Sequence, residues 1–361
     1  MADDAPAAGF TVSKTPSQFR VLTADDLLGT DLPPRETILA PWLPTKGLAM
    51  IYGPRGIGKT HLTLGCAYAV ASGGSFLRWS APSPRRVLVI DGEMPAITLQ
   101  DRMGKIVNAA PLAPPEPEYL RLLAMDLQEG AFDLGNEADQ AALESDLIGV
   151  DLIIVDNIST LARLGRENEA ESWLPVQEWA LGQRRAGRSV VFMHHAGKGG
   201  AQRGTSRRED VLDSVIALKR PQDYQADQGA RFEVHFEKNR GFHGDDAKPF
   251  EAALGAGGWS MRDLADAEMA RVMAMKSEGN SVREIAEETG LSKSKVDRMI
   301  RKAAESASKG GVGNAYFRSD SGLSHCPAAG KWDSGTLSTP IGFYRDSGRD
   351  SLWDRSGKSS C

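Results

Sequence analysis

The stretch GPRGIGKT, from Gly53 to Thr60, has residue types and spacing that point directly to phosphate chemistry. It matches the pattern G-x-x-x-x-G-K-[ST], in which glycines allow a tight turn that directs backbone N–H groups at phosphate oxygens. In such a loop Lys59 reaches the β- and γ-phosphates of a nucleotide, and the Thr60 hydroxyl binds Mg²⁺. The residues predicted to contact the nucleotide are Gly53, Pro54, Arg55, Gly56, Ile57, Gly58, Lys59, Thr60 and His61.

A second carboxylate for the metal ion is supplied by the stretch DLIIVDN, at Asp156. Its apolar run is typical of a parallel strand buried on both faces, and the carboxyl end of such a strand faces the ligand crevice. We therefore predict that Asp156 acts on Mg²⁺. The alternative is an aspartate that only caps the next helix.

The stretch VLVIDGEM places an acid, Glu93, just beyond another apolar run. Because Asp156 is followed by Asn157, no second acid stands beside it in the sequence. Glu93 lies 34 residues after Lys59 (93 minus 59), which suits the strand next to the phosphate-loop strand. We predict that Glu93 holds the attacking water in line, and that Asp91 is structural.

Two later strand patterns end in basic residues. SVVFMHHAGKGG carries His194 and His195, either of which would contact the γ-phosphate or be held in ordinary hydrogen-bonded structure. RFEVHFEKNRGF carries Lys238 and Arg240, two residues apart and therefore predicted on one face of a strand. In a ring this pair would reach a neighbour's site and stabilise transition-state charge; ordinary charges on an edge strand are the alternative.

The elements that must position these residues alternate between strand and helix patterns. The strand candidates are LAMIYG, RRVLVIDGE, YLRLLAM, DLIIVDN, SVVFMHHAG, SVIALKR and RFEVHFEKNRG. Such alternation predicts an α/β domain over residues 21–258, with a mostly parallel sheet flanked by helices. Residues 1–20 are predicted to be flexible, and the Gly- and Ser-rich residues 309–361 to be disordered.

Residues 262–308 have a helical pattern of their own. Ser281 and Glu284 form a capping box, Gly290 suits a tight turn, and Ser292 can cap the helix that follows. This pattern resembles a small all-α helix-turn-helix DNA-binding module, although modules of this shape also dock proteins. The residues predicted to contact DNA are Lys293, Ser294, Lys295 and Arg298. From Gly290 to Lys309 there are six basic and two acidic side chains, an excess of four positive charges.

Composition excludes several other classes of protein. The formal net charge of −5 argues against a chain coated with basic residues, but it allows a local basic surface or channel. The segment AGKGGAQRGTSRRED would form such a channel or a solvated loop. The apolar runs are of strand length, too short to span a membrane, and no secretory signal is visible. The three cysteines have no metal spacing, so we expect a reducing cytoplasm.

Together these motifs resemble the RecA-like ATPases, and most closely the RepA-type hexameric replicative helicases of plasmids and phages. The resemblance runs over about residues 35–255 and rests on WLPTKGLAMIYGPRGIGKT, VLVIDGEM, DLIIVDNIS, VVFMHHAGK and KNRGF in that order. It implies a homohexameric ring, translocation on single-stranded DNA driven by ATP with Mg²⁺, and sites shared between subunits. By this resemblance Glu93 activates water, His195 takes the sensor position, and Lys238 and Arg240 act on a neighbouring subunit.

The expected function is therefore that of a ring-forming, ATP-hydrolysing motor on single-stranded DNA, with duplex DNA as a further partner. Two alternatives stay open. One is a DNA-binding regulator whose oligomeric state is switched by ATP. The other is a recombination or partner-loading ATPase that does not unwind DNA. A small-molecule kinase would leave the helical module and the KNR strand unexplained.

Overall fold

The computed structural model describes residues 20–162, 173–196 and 210–309. Its strands are β1 (Thr37–Leu39), β2 (Leu43–Pro44), β3 (Leu48–Gly53), β4 (Ser75–Phe76), β5 (Trp79–Ser80), β6 (Val87–Asp91), β7 (Leu120–Ala124), β8 (Leu152–Asp156), β9 (Ser189–His195), β10 (Ser214–Lys219), β11 (Arg231–Asn239), β12 (Phe250–Gly255) and β13 (Gly258–Asp263). Its α-helices are α1 (Ala24–Leu28), α2 (Lys59–Ser72), α3 (Ala96–Ala109), α4 (Glu137–Leu143), α5 (Ile158–Leu161), α6 (Leu174–Arg185), α7 (Leu264–Ser277), α8 (Val282–Thr289) and α9 (Lys293–Lys309).

A nine-stranded sheet organises the molecule, in the order β13-β12-β11-β10-β3-β9-β8-β6-β7. The strands from β10 to β7 in this order pair in parallel, and β11, β12 and β13 extend the sheet in antiparallel pairs. The carboxyl ends of β3, β6, β8 and β9 therefore meet at one edge of the sheet. We call this edge the crevice edge.

Both faces of the sheet are covered, which explains the continuous apolar runs of the central strands. In β3, Ala49 and Ile51 pack with residues of α2, whereas Leu48 and Met50 pack with residues of α4, α5 and α6 on the other face. A strand buried on both faces must be apolar at every position.

These observations confirm the predicted fold class: a mostly parallel sheet flanked by helices, followed by a small group of helices. Each predicted strand candidate contains an observed strand. The hairpin of β12 and β13 was not predicted, and it carries the sheet to Asp263, past residue 258. The predicted tail from residue 310 onward lies outside the described residues.

The helices α7, α8 and α9 form a separate small core, made by Val272, Ile285 and Val296 with partly buried neighbours Leu291 and Ile300. Ser281 accepts from the Glu284 backbone N–H and the Glu284 carboxylate accepts from the Ser281 N–H, as the capping box requires. A positive φ of 68° at Gly290 ends α8. We call α7, α8 and α9 the helical module. Helices α7 and α8 belong to the same compact unit as the sheet.

Among the described helices, none combines the length and the apolar character that crossing a bilayer demands.

Candidate active site

The phosphate loop joins β3 to α2 at the crevice edge, where its glycines are required by geometry. Gly56 and Gly58 have φ values of 70° and 109°, which L-residues with side chains rarely adopt. A Cβ atom on Gly58 would lie 2.8 Å from Ala230 Cβ, and one on Gly53 would lie 2.9 Å from Leu218 Cβ. The loop therefore approaches its neighbours closely and brings the N-terminus of α2 to the crevice, as phosphate binding demands.

Lys59 is buried at the first position of α2. Its Nζ donates to the carbonyl oxygens of Gly53 at 3.1 Å and Pro54 at 3.0 Å, so the ammonium is held inside the loop. Burial lowers the pKa of Lys59, whereas the Asp156 and Glu93 carboxylates oppose that shift. The side chain is thus placed to meet phosphate charge.

Asp156 and Asp91 end neighbouring strands and face each other in register. Asp156 is only 2% exposed, and burial raises its pKa to about 7, with Asp91 adding to the shift and a hydrogen bond from Thr60 opposing it. Among the described residues, none lies within hydrogen-bond reach of the buried Oδ2 of Asp156. A buried carboxylate oxygen without a partner, beside a threonine hydroxyl, is a donor set that suits Mg²⁺ or a water bound to it.

Asp91 has a different environment, which fits a structural role. Its Oδ1 accepts from the backbone N–H groups of Glu93 at 3.2 Å and Met94 at 2.7 Å. Burial raises the pKa of Asp91, and these two hydrogen bonds oppose the shift. Asp91 therefore shapes the turn that presents Glu93.

Glu93 contacts His195 at the crevice edge, with Oε1 3.0 Å from Nε2. This hydrogen bond lowers the pKa of Glu93 against the effect of burial, and Asn157 and Lys59 lower it further. The carboxylate is therefore ionised at neutral pH and 37% exposed, so it can accept a proton from water or orient it. Asn157 Nδ2 lies 3.2 Å from the same His195 nitrogen.

The expected position of Glu93 on the strand next to the phosphate-loop strand is wrong. β9 and β8 lie between β3 and β6, the strand that precedes Glu93. Glu93 still joins the site because β6 pairs with β8, and Asp91 stands in register with Asp156. The two predicted carboxylates are brought together by this pairing.

Of the two histidines, His195 is in register with Gly53 and contacts Glu93. His194 is in register with Tyr52, and side chains alternate along a strand, so it lies on the opposite face. The structure therefore favours His195 as the residue that contacts Glu93, and its role towards phosphate stays a prediction.

A family model described as an AAA domain matches residues 13–201, which include the phosphate loop, Glu93, Asp156 and His195. This chain belongs to the AAA domain family. It is a P-loop ATPase whose mostly parallel sheet is flanked by helices. No curated protein sequence matches it. Among solved structures, it is similar to a KaiC-like protein from the archaeon Pyrococcus horikoshii OT3, at 15% identity and a TM-score of 0.45, over 63% of this chain and 99% of that one.

Lys238 and Arg240 lie outside this AAA domain match and at the opposite edge of the sheet. β11 runs antiparallel to β10, and its last residue Asn239 is in register with Ser214, the first residue of β10. The strand ends at Asn239, so Arg240 lies just beyond β11, and whether its side chain shares a face with Lys238 stays a prediction. The Arg240 backbone N–H instead donates to the Asp213 carbonyl at 2.9 Å. β11 lies between β10 and β12 and is not an edge strand.

The predicted DNA contacts lie on the first two turns of α9. Lys293, Ser294 and Arg298 are exposed. Lys295 is half-buried and its Nζ lies 2.6 Å from Glu268 Oε2 on α7. Lys295 therefore stabilises the helical module, and three of the four predicted residues have exposed side chains.

Two residues near the site of this AAA domain were missed by sequence reasoning. Asn157 contacts His195, and Arg102 on α3 is close enough to Asp156 and Asp91 for their charges to act on it. Nothing in the sequence distinguishes Arg102 from a solvated helix charge. It lines a cavity of about 960 Å³ with His61, whose pKa burial lowers to about 4, with Arg102 and Lys105 adding to the shift. His61, a predicted nucleotide contact, is thus neutral at physiological pH.

The segment AGKGGAQRGTSRRED, including Lys198, lies mainly in residues 197–209, outside the described residues.

Proposed function

We propose that this P-loop ATPase is a ring-forming motor that hydrolyses ATP while acting on DNA, as a replicative helicase of a plasmid or phage. The observation that carries the proposal is the division of the site between two edges of the sheet. Lys59, Asp156, Glu93 and His195 meet at the crevice edge, and the basic pair implied to complete the site lies at the other edge.

Strand geometry supports completion of the site by another copy of the chain. β10 separates the two edges by six residues, Ser214–Lys219, which span about 17 Å at a rise of ~3.3 Å per residue. That separation exceeds the length of a lysine or arginine side chain. Lys238 and Arg240 therefore cannot serve their own phosphate loop, and a neighbouring subunit in a ring is the partner that would receive them.

The residues of the crevice edge have complementary roles in hydrolysis. The phosphate-loop N–H groups and Lys59 bind the phosphates, and Thr60 and Asp156 would hold Mg²⁺, which neutralises developing charge when bound. Glu93 is ionised and orients the attacking water. His195, hydrogen-bonded to Glu93, links the water-activating residue to the end of β9.

Contact with DNA is supported by the local charge of the helical module. Lys293 and Arg298 project from α9 with exposed side chains in an otherwise acidic protein. Such residues contact phosphate groups, so binding would depend strongly on salt and little on sequence. A regulator that binds duplex DNA when ATP switches its oligomeric state would use the same helices, and so it remains the second candidate. The third is an ATPase that loads or remodels partners without unwinding.

Native mass spectrometry and strand separation on a forked duplex test the proposal together. We expect a closed ring, hexameric by the resemblance, that unwinds the fork with ATP and Mg²⁺. Lys59→Ala should abolish unwinding, and Lys248→Ala, at an exposed lysine paired with Asp245, should not. A monomer, or a ring that binds duplex DNA tightly without unwinding, would exclude the helicase and favour the regulator.

A further inference from the structure

The segment that runs from the end of β10 to the first residue of β11, residues 220–231, contacts the phosphate loop. Arg220 Nη2 lies 3.5 Å from the Arg55 carbonyl oxygen. Ala230 fills the space beside Gly58: a Cβ atom on Gly58 would lie 2.8 Å from the Ala230 Cβ atom. Close-packed interiors transmit strain, so a displacement of Gly58 towards Ala230 would press on this segment. We call residues 220–231 the bridging segment.

The bridging segment also contacts the helical module. Asp223 forms an ion pair with Arg271 on α7, with Oδ1 3.1 Å from Nη2, and the Arg271 side chain is only 13% exposed. Gln222 lies beside the turn between α8 and α9: its Nε2 would be 3.3 Å from a Cβ atom on Gly290. The segment therefore contacts α7 as well as the turn that sets the direction of α9.

A chain of charges fixes the bridging segment between the module and the sheet. Asp223 also pairs with Arg231 at 2.9 Å, and Arg231 pairs with Glu251 of β12 at 2.8 Å. Arg231 is 9% exposed and Glu251 3%, so this pair is held with little screening by water. The segment thus contacts the module through Gln222 and Asp223, and the phosphate loop through Arg220 and Ala230.

We propose that the bridging segment couples nucleotide binding at the phosphate loop to the placement of the helical module. The proposal rests on the proposed ATP site and adds its regulation: the nucleotide would set how α9 is presented to DNA. Coupling between two sites is reciprocal, so a change in the module must alter nucleotide affinity. Because the bridging segment contacts both the phosphate loop and the module, it can carry such an effect between them.

The test is the affinity of the full chain for ADP with Mg²⁺, measured by calorimetry. Arg271→Ala removes the ion pair to Asp223 and should weaken ADP binding about fivefold or more, because the bridging segment no longer supports Gly58. Lys276→Ala removes the same charge from an exposed position on the same helix and should leave the affinity within twofold. Asp223→Asn should weaken binding similarly, and the double variant Asp223→Asn/Arg271→Ala should be no weaker than Asp223→Asn alone.

Hydrogen exchange of the unaltered chain provides a second measurement that needs no variant. ADP should slow amide exchange in α8 and at the turn around Gly290 as well as in the phosphate loop. Unchanged exchange in the module, or ADP affinity within twofold of the unaltered chain or tighter in Arg271→Ala, overturns the coupling while leaving the ATP site intact. Failure of the unaltered chain to bind ADP overturns both the coupling and the proposed function.

Discussion

Replacing Asp156 by asparagine should stabilise the nucleotide-free protein while removing a metal ligand. Burial, with the neighbouring Asp91 carboxylate, raises the pKa of Asp156 in the folded chain to about 7 from its ordinary value of 3.8. The unfolded chain therefore loses this proton at lower pH than the folded chain does. Below the unfolded pKa both states are neutral and the aspartate costs nothing. As pH rises towards 7, folding must retain a proton that the unfolded chain has released, so stability falls.

The size of the effect follows from the pKa difference. One pKa unit corresponds to about 1.4 kcal/mol. The raised pKa of Asp156 therefore lowers the free energy of unfolding by about 2 kcal/mol at pH 5.5 and by about 4 kcal/mol at pH 8. Asp156→Asn removes this cost at every pH. We therefore expect the variant to be more stable, with a gain about 2 kcal/mol larger at pH 8 than at pH 5.5.

Denaturant unfolding in EDTA at pH 5.5 and pH 8 measures this difference. Asp146→Asn, which removes the same charge from an exposed side chain after α4, is the matched control and should change stability little at either pH. Equal gains in the free energy of unfolding at the two pH values, or a destabilised variant at pH 8, would refute the claim that burial raises the pKa of Asp156 in the metal-free protein.

Three further variants test the site and the module. Glu93→Gln should retain ATP binding and lose about 100-fold or more in turnover, because the amide cannot accept the proton from water; rapid turnover measured by phosphate release would remove Glu93 from this role. Rings mixed from Arg240→Ala and Lys59→Ala subunits should regain part of the ATPase activity that each variant lacks, and mixed rings that form but stay inactive would argue against a shared site. Lys293→Ala with Arg298→Ala should weaken DNA binding and reduce its dependence on salt by about two phosphate contacts, measured by fluorescence anisotropy across salt concentrations; an unchanged salt slope would place the DNA surface elsewhere.

The strands of the crevice edge were predictable because burial on both faces leaves a clear signature. LAMIY, VLVI and LIIV are nearly continuous apolar runs; the first leads into Gly53 of the phosphate loop, and the other two are followed by Asp91 and Asp156, so each strand and the site residues at its end are visible together. The capping box at Ser281 and the turn at Gly290 were predictable for a similar reason: local hydrogen bonds and backbone conformation depend on a few adjacent residues.

The features that were missed depend on contacts between distant parts of the chain. Strand order does not follow chain order, so the interval from Lys59 to Glu93 did not reveal that two strands lie between them. The β12–β13 hairpin has glycines at Gly255, Gly257 and Gly258 and lacks clean alternation, which hid both strands. The ion pair of Asp223 with Arg271 joins a loop to a helix 48 residues further along the chain (271 minus 223), and no local pattern marks it.

The measurement that tests the central claim most directly is steady-state ATP turnover by the full chain, with and without single-stranded DNA. A ring-forming motor on DNA should hydrolyse ATP in the presence of Mg²⁺ and turn over several times faster when single-stranded DNA is added. Lys59→Ala should abolish both rates. Turnover that is indifferent to single-stranded DNA, by a chain shown to bind ATP, would contradict the claim that hydrolysis at this site drives motion along DNA.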